Sequence, residues 1–261
     1  MNKDQWVSIC HGMVHRLDRD RLMCAMVAPP GKRNALVALL AFNLEIATIP
    51  ELVSEPMLGE IRLQWWRETV TRLYDGIRVD HPVALGLAEA IEKANLSKCL
   101  IEGYLDARAF DLKGVPPGSM MELEKYAEDT AGALHILMAE VLGLANLVSG
   151  QQLHVHEAVR HGGVAWAITG LLATVDFHVK RGRSFLPEDE EDGIEALTQA
   201  AERHISAARS TRRHVPKSML PVLLPVALAD RNLKYRFRGG ASRQGLGRLF
   251  EFYWNVILGK Y

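Results

Sequence analysis

The chain has 261 residues, enough for one generous core, and 48% of them are hydrophobic, an ordinary globular balance. Its 31 basic residues offset 31 acidic ones, so no global field draws nucleic acid or an acidic surface, and anion binding falls to local clusters. Cys10, Cys24 and Cys99 are scattered without a C-x-x-C pair, which suggests neither a disulfide framework nor a zinc site and fits a reducing, cytoplasmic compartment.

Helical periodicity dominates from the start. Trp6, Ile9, Met13, Leu17 and Leu22 predict a first amphipathic helix, broken by Pro29-Pro30-Gly31. A second runs through Ala35, Leu39, Phe42 and Ile46 to Pro50. Met57, Ile61, Trp65, Val70 and Leu73 predict one apolar face of a third, stopped by Gly76. His81-Pro82 opens a short fourth helix, and a fifth spans about 95–114.

After the loop Pro116-Pro117-Gly118, the pattern Ser119-x-x-Glu122 reads as a capping box for a long helix towards Gly143. An apolar helix follows over about 153–178. Leu186-Pro187 closes a loop, and the acidic run 188–192 reads as the first turn of the next helix, where the dipole favours carboxylates. A proline-bounded helix near 217–230, a basic loop at 236–247 and a helix through Leu249, Phe252, Trp254 and Ile257 complete the chain.

Strand signals, internal repeats and low-complexity tracts are not found. The polar N-terminus carries no secretory signal, and the longest apolar stretches are too short to span a bilayer. The expectation is an all-α chain, one bundle-like domain over residues 1–261 with about nine to ten helices.

Several clusters have chemical potential, each with a plainer alternative. Glu102 and Asp106 stand four apart on one helical face, with Asp111 further on, a pattern suited to a divalent cation or acid–base work. The plainer reading pairs Asp106 with Arg108 or leaves it in water. Glu124 and Glu128 read as a solvated first turn. His154, His156 and His161 invite a metal, but positions two apart on a helix diverge and no third ligand fits the spacing. The run Lys180, Arg181, Arg183 and the group Arg231, Lys234, Arg236, Arg238, Arg243, Arg248 suit a diphosphate, a lipid head group or an acidic partner, or compensate helix dipoles. Trp65 and Trp66 line a ligand pocket or pack against neighbours; being adjacent, they cannot both face one core.

Taken in order, these blocks resemble the squalene/phytoene synthase family, which joins two isoprenyl diphosphates head to head. The matching stretches are 29–33, Leu63-Gln64-Trp65-Trp66-Arg67-Glu68, 81–84, 105–112, 126–132 and 180–187, together covering about residues 10–190. The resemblance implies an isoprenoid-synthase-type bundle around a central cavity, with ligand contacts from Arg33, Trp65, Trp66, Lys180, Arg181 and Arg183. The family's chemistry uses two aspartate-rich motifs whose carboxylates hold magnesium against the diphosphate. In the first motif, the family's arginine falls on Leu44 and its adjacent aspartates on Ala47 and Thr48, leaving Glu51. In the second, the leading aspartate falls on Ala173 or Thr174 and the only acid is Asp176; a phosphate-contacting serine falls on Asp20. Asp106, Asp111, Tyr126 and Ala131-Gly132 survive.

One branch of the family shares these departures, together with stretches 41–45, 53–55 and 123–130: the branch containing a mitochondrial assembly factor of respiratory complex I. The resemblance implies a bacterial, non-catalytic relative without metal or cofactor that assists complex I assembly at the inner face of the membrane, with an isoprenoid or lipid as its ligand. Its partners would be complex I subunits or assembly intermediates. The alternative it implies is an active magnesium-dependent transferase using Glu51, Asp106, Asp111, Tyr126 and Asp176.

Overall fold

The computed structural model describes residues 1–179, 186, 192–234 and 246–261; side chains of 176–179 and 246–251 lie outside that description. Two compact units emerge, Met1–Gly114 with Ile136–Asn146, and Val115–His135 with Leu147–Tyr261. Among the described residues every element is helical, as the unbroken 3.6-residue periodicity demands.

The first unit runs α1 (Lys3–Leu17), α2 (Arg19–Met26), α3 (Pro30–Ala47), α4 (Ile49–Leu52), α5 (Pro56–Tyr74), α6 (Pro82–Ala94) and α7 (Lys98–Arg108), then a 3₁₀ turn, Ala109–Leu112. Asn2 and Gln5 form a reciprocal capping box on α1. The single first helix predicted from Trp6 to Leu22 divides at Asp18. Its carboxylate accepts from the Arg21 backbone N–H at 3.2 Å and pairs with Arg21 Nε at 2.5 Å, starting α2 anew. Prolines occupy the first turns of α3, α5 and α6, where their missing N–H costs nothing.

Helix α3 is the axis of this unit, buried without interruption from Leu36 to Asn43 and packed by α1, α2, α6 and α7. Gly86 lets α6 approach closely: a Cβ there would sit 2.9 Å from both Ala38 Cβ and Trp6 Cζ3. Ser97, at the start of α7, is held by Glu140, whose carboxylate takes its backbone N–H at 3.0 Å and its hydroxyl. Two of the thiols are inert: burial pushes Cys10 up to about 12 and Cys24 well above the ordinary thiol value.

Helix α5 corrects the predicted face. Gly59, Leu63, Trp66, Val70 and Leu73 are buried, whereas Met57, Ile61 and Trp65 face solvent. The helix is apolar on two sides, and the periodicity test merged them into one stripe.

The second unit holds α8 (Met120–Ala127), a π turn (Glu128–Gly132) and the first residues of α9 (Ala133–Leu142), which from Ile136 on belongs to the first unit, then α10 (Ser149–Val179), α11 (Gly193–Ser210), α12 (Leu220–Asn232) and α13 (Leu246–Leu258). Ser119 caps α8 through the Glu122 N–H at 3.2 Å, but Glu122 reaches back one residue further than predicted, to the Gly118 N–H at 2.9 Å. Asp192 caps α11 by accepting from the Glu195 N–H at 3.1 Å; residues 188–191 of the acidic run lie outside the described residues. Among the described residues, the α1/α2 break, the short α4 and the π turn account for thirteen α-helical segments against the nine to ten expected.

Candidate functional site

The end of α3 and the α7–3₁₀ junction carry the residues of interest in the first unit. Asn43, the lone amide in the otherwise apolar run Leu36–Leu44, is buried. Tyr104 lies fully buried on α7 and its hydroxyl donates to Asn43 Oδ1 at 3.1 Å. Arg108, one turn on, donates Nε to that hydroxyl at 3.2 Å and Nη2 to Asn43 Oδ1 at 3.2 Å. Its Nη1 pairs with Asp111 Oδ2 at 3.1 Å, and its guanidinium stands 5.2 Å from the Tyr104 ring centre. Burial raises the phenol of Tyr104 above its ordinary value, against the opposing pull of Arg108, so it stays a neutral hydrogen-bond relay.

This network settles the surviving carboxylates. Asp111 is a largely buried partner of Arg108. Asp106 pairs with Arg67 of α5 at 3.1 Å and is 71% exposed; the expected pairing with Arg108 is replaced because Arg108 turns inward to Tyr104. Glu102, expected on the Asp106 face, lies 3.6 Å from Lys98. Glu51 is exposed on the four-residue α4. At the aspartate positions of the first motif, Ala47 offers no ligand and Thr48 donates its hydroxyl to Leu44 O at 2.8 Å. Among the described residues, no three of His, Cys, Asp and Glu gather to hold a metal ion. At the first motif, the described donors do not fit a magnesium–diphosphate centre, which needs carboxylates free to face the ions. Of the second motif, Asp176 lies within α10 with its side chain outside the described residues.

The predicted ligand-binding side chains scatter. Trp66 is 3% exposed and meets Phe42 edge-on at 5.2 Å, while Trp65 is 40% exposed. His81 sits against both indoles, at 5.3 and 5.5 Å. Arg33 spends its Nε on Ala28 O at 2.7 Å and borders a small pocket of about 220 Å³ with Trp6, His11 and Met26. Lys180, Arg181 and Arg183 lie outside the described residues.

In the second unit, Tyr126 is half-buried on α8, and its carbonyl accepts from Thr130 Oγ1 at 2.7 Å in the π turn. His135 Nδ1 lies 2.8 Å from Ala131 O, which fixes the tautomer with the proton on Nδ1. Glu124 and Glu128 are not the solvated pair expected. Glu124 pairs with Arg203 at 2.8 Å and Glu128 with Arg160 at 3.0 Å, tying α8 and the π turn to α11 and α10. The three histidines also disperse: His154 stacks on His214 at 4.5 Å, and His161 Nδ1 lies 2.8 Å from His204 Nδ1. Burial lowers the pKa of both members of that pair, with Arg160 adding to it at His161 and His161 adding to it at His204. In the C-terminal basic group, Arg231 is buried and Lys234 pairs with Asp230 at 2.9 Å; Arg236, Arg238, Arg243 and the Arg248 side chain lie outside the described residues.

Sequence reasoning missed Asn43, Tyr104 and the His161–His204 pair. The first had a signal, a single amide inside the apolar run Leu36–Leu44. The pair had none, because its members lie 43 residues apart.

Comparison with known proteins places this geometry. The chain is 31% identical over 242 residues to "NADH dehydrogenase (ubiquinone) complex I, assembly factor 6" of Bos taurus, covering 85% of this chain and 71% of that protein. It is 26% identical to the chloroplastic phytoene synthase of Daucus carota, over 63% of this chain and 41% of that one. A solved dehydrosqualene synthase superposes with a TM-score of 0.82 at 12% identity, covering 98% of this chain and 96% of that chain, which establishes the isoprenoid-synthase-type fold. The squalene/phytoene synthase profile matches residues 14–193. With the shared fold, the ordered motif blocks and that match, the chain belongs to the squalene/phytoene synthase family, on the side of its complex I assembly factors.

Proposed function

We propose that this protein is a non-catalytic member of its family that assists the assembly of respiratory complex I. One observation carries the reading: Asp106 and Asp111 are committed to arginines, beside an α3 terminus that presents Ala47 and Thr48 in place of carboxylates. Without a metal to neutralise it, a diphosphate against these apolar helices is an uncompensated charge, and its departure loses several kcal/mol of electrostatic help. The similarity to a complex I assembly factor over most of the chain supplies the positive half. The protein requires no metal or cofactor in this role, and its partners are complex I subunits or assembly intermediates.

Among the described residues no helix is long and apolar enough to cross a membrane. Helix α13 exposes Tyr253, Trp254, Ile257 and Leu258, and the stretch before it in the sequence is rich in arginine. These features support a cytoplasmic protein in peripheral contact with the membrane, with an isoprenoid or lipid as its ligand.

The test is turnover. Incubated with farnesyl or geranylgeranyl diphosphate and magnesium, the protein releases no pyrophosphate above the uncatalysed rate. Turnover that disappears in Asp106→Ala would identify an active transferase and overturn the reading.

A further inference from the structure

Helix α5 is the element whose surface the fold leaves unexplained. Its orientation is locked from below. A Cβ at Gly59 would run into the Leu112 side chain, Leu63 and Val70 are fully buried, and Trp66 abuts Phe42. With that face fixed, Met57, Ile61 and Trp65, four residues apart, form a second stripe on the opposite side. They are 71%, 60% and 40% exposed, and Leu52 and Leu58 beside them are exposed too. A contiguous apolar patch rimmed by charge marks an interaction surface, unlike single exposed hydrophobes.

The rim is acidic. A shallow groove of about 480 Å³ runs along the stripe, with Glu60 and Glu68 in its walls. Glu51 and Glu55 stand before the N-terminal end, both exposed. Among the described residues Glu51, Glu55 and Glu60 make no ion pair, while Glu68 accepts only from the Gln64 amide at 3.0 Å. Arg67, the one cation in the groove, is neutralised by Asp106. Arg62 and Arg72 stand at the edge and far end by helical spacing, so the surroundings keep a net negative charge.

The geometry points to this face as the docking site for a basic amphipathic helix of a partner protein, one with apolar residues at i, i+4 and i+7 flanked by lysines or arginines. Met57 to Trp65 rises about 12 Å, two turns of a facing helix, which suits helix-on-groove recognition. The charge argues against other occupants. An anionic membrane is repelled by the same carboxylates. A second copy packed about a two-fold axis would set this net-negative patch against itself. The inference deepens the assembly reading by naming the partner's chemistry, and it rests on that reading only for the partner's identity.

The test uses the full chain and a designed probe: a fluorescein-labelled peptide helix with leucines at i, i+4 and i+7 between lysines, and a twin with glutamates for lysines. Anisotropy titrations are expected to show the lysine peptide binding at least tenfold tighter than its twin at low salt, with the preference shrinking as salt rises. Ile61→Asp, on an exposed residue and checked by circular dichroism, should weaken binding about tenfold or more. Glu60→Lys/Glu68→Lys should reverse the preference between the two peptides. Equal binding of both peptides, or undiminished binding by Ile61→Asp, overturns the proposal. So does a shift from dimer to monomer on Ile61→Asp, or Ile61-dependent binding to phosphatidylglycerol vesicles in place of the peptide. In cells the two readings separate. If deletion of the gene impairs complex I but Ile61→Asp complements it fully, this surface is wrong and the assembly role stands. If deletion leaves complex I intact while the peptide results hold, the assembly role falls and the surface remains.

Discussion

Asp111 shows how one contact changes a residue's meaning. Sequence spacing offers it as a metal ligand, but at 3.1 Å from Arg108 it completes a buried chain through Tyr104 to Asn43. Arg108→Met should therefore cost about 2–4 kcal/mol in urea unfolding, because Asp111 and Asn43 lose partners in a desolvated site. Asp106→Ala, at a 71% exposed position, should change stability by under about 1 kcal/mol. Equal effects from the two would mean that the network does not hold the fold as described. Asn43 was legible as an odd polar residue in an apolar helix. Its partners were not, since a tyrosine and arginine one turn apart on α7 are common on any helix.

At the scale of elements, α10 depends on two close fits. A Cβ at Gly163 would meet Ala131 O at 2.5 Å and Gly132 Cα at 2.8 Å, both backbone atoms of the π turn. Backbone cannot move aside as a flexible side chain can, so Gly163→Ala is expected to cost about 1–3 kcal/mol or more by thermal unfolding, whereas Gly170→Ala, in open space, should be neutral or stabilising.

The second fit joins α10 to α11 through His161 and His204, 2.8 Å apart at their Nδ1 atoms. One proton serves that bond, and a second breaks it. Burial holds both histidines below the ordinary 6.5 in the folded state, so the unfolded chain protonates first and binds the extra protons. This stability is present above pH about 6.5 and is lost as pH falls below it. Glu157, Glu128 and Glu124 oppose the shift, and Arg160 and Arg203 reinforce it. A Tm profile should therefore slope downward below pH about 6.5 and flatten in His204→Gln; an unchanged slope in the variant would assign the effect elsewhere.

The main helices were readable because proline and glycine punctuation agreed with hydrophobic spacing, but the division at Asp18 and the short α4 were not. Which face of a helix turns inward was less readable. On α5 two apolar stripes share nineteen residues, and only the close approach at Gly59 decides between them. The π turn, Glu128–Gly132, was invisible because its hydrogen bonds slip by one with no proline to mark the change.

For the whole molecule, family membership does not by itself carry function. The fold is that of prenyl synthases, but the places where their chemistry concentrates charge hold Ala47 and Thr48, and two neighbouring aspartates serve arginines. On the proposed reading, such a chain keeps the helical framework and uses its surface for other work. The loss of the first motif's aspartates was legible in the sequence through the ordered motif blocks. What replaces them lay beyond sequence reading, since pairing such as Arg67 with Asp106 depends on how α5 and α7 meet.

The most direct measurement is the amount of assembled complex I in membranes of a strain lacking this gene, read by native gel and by NADH:quinone activity, with the gene restored in trans as the reference. Under the assembly role, the deletion shows a clear loss, regained by the wild-type gene and equally by Asp106→Ala. Full complex I in the deletion strain, or rescue that fails specifically with Asp106→Ala, would contradict it.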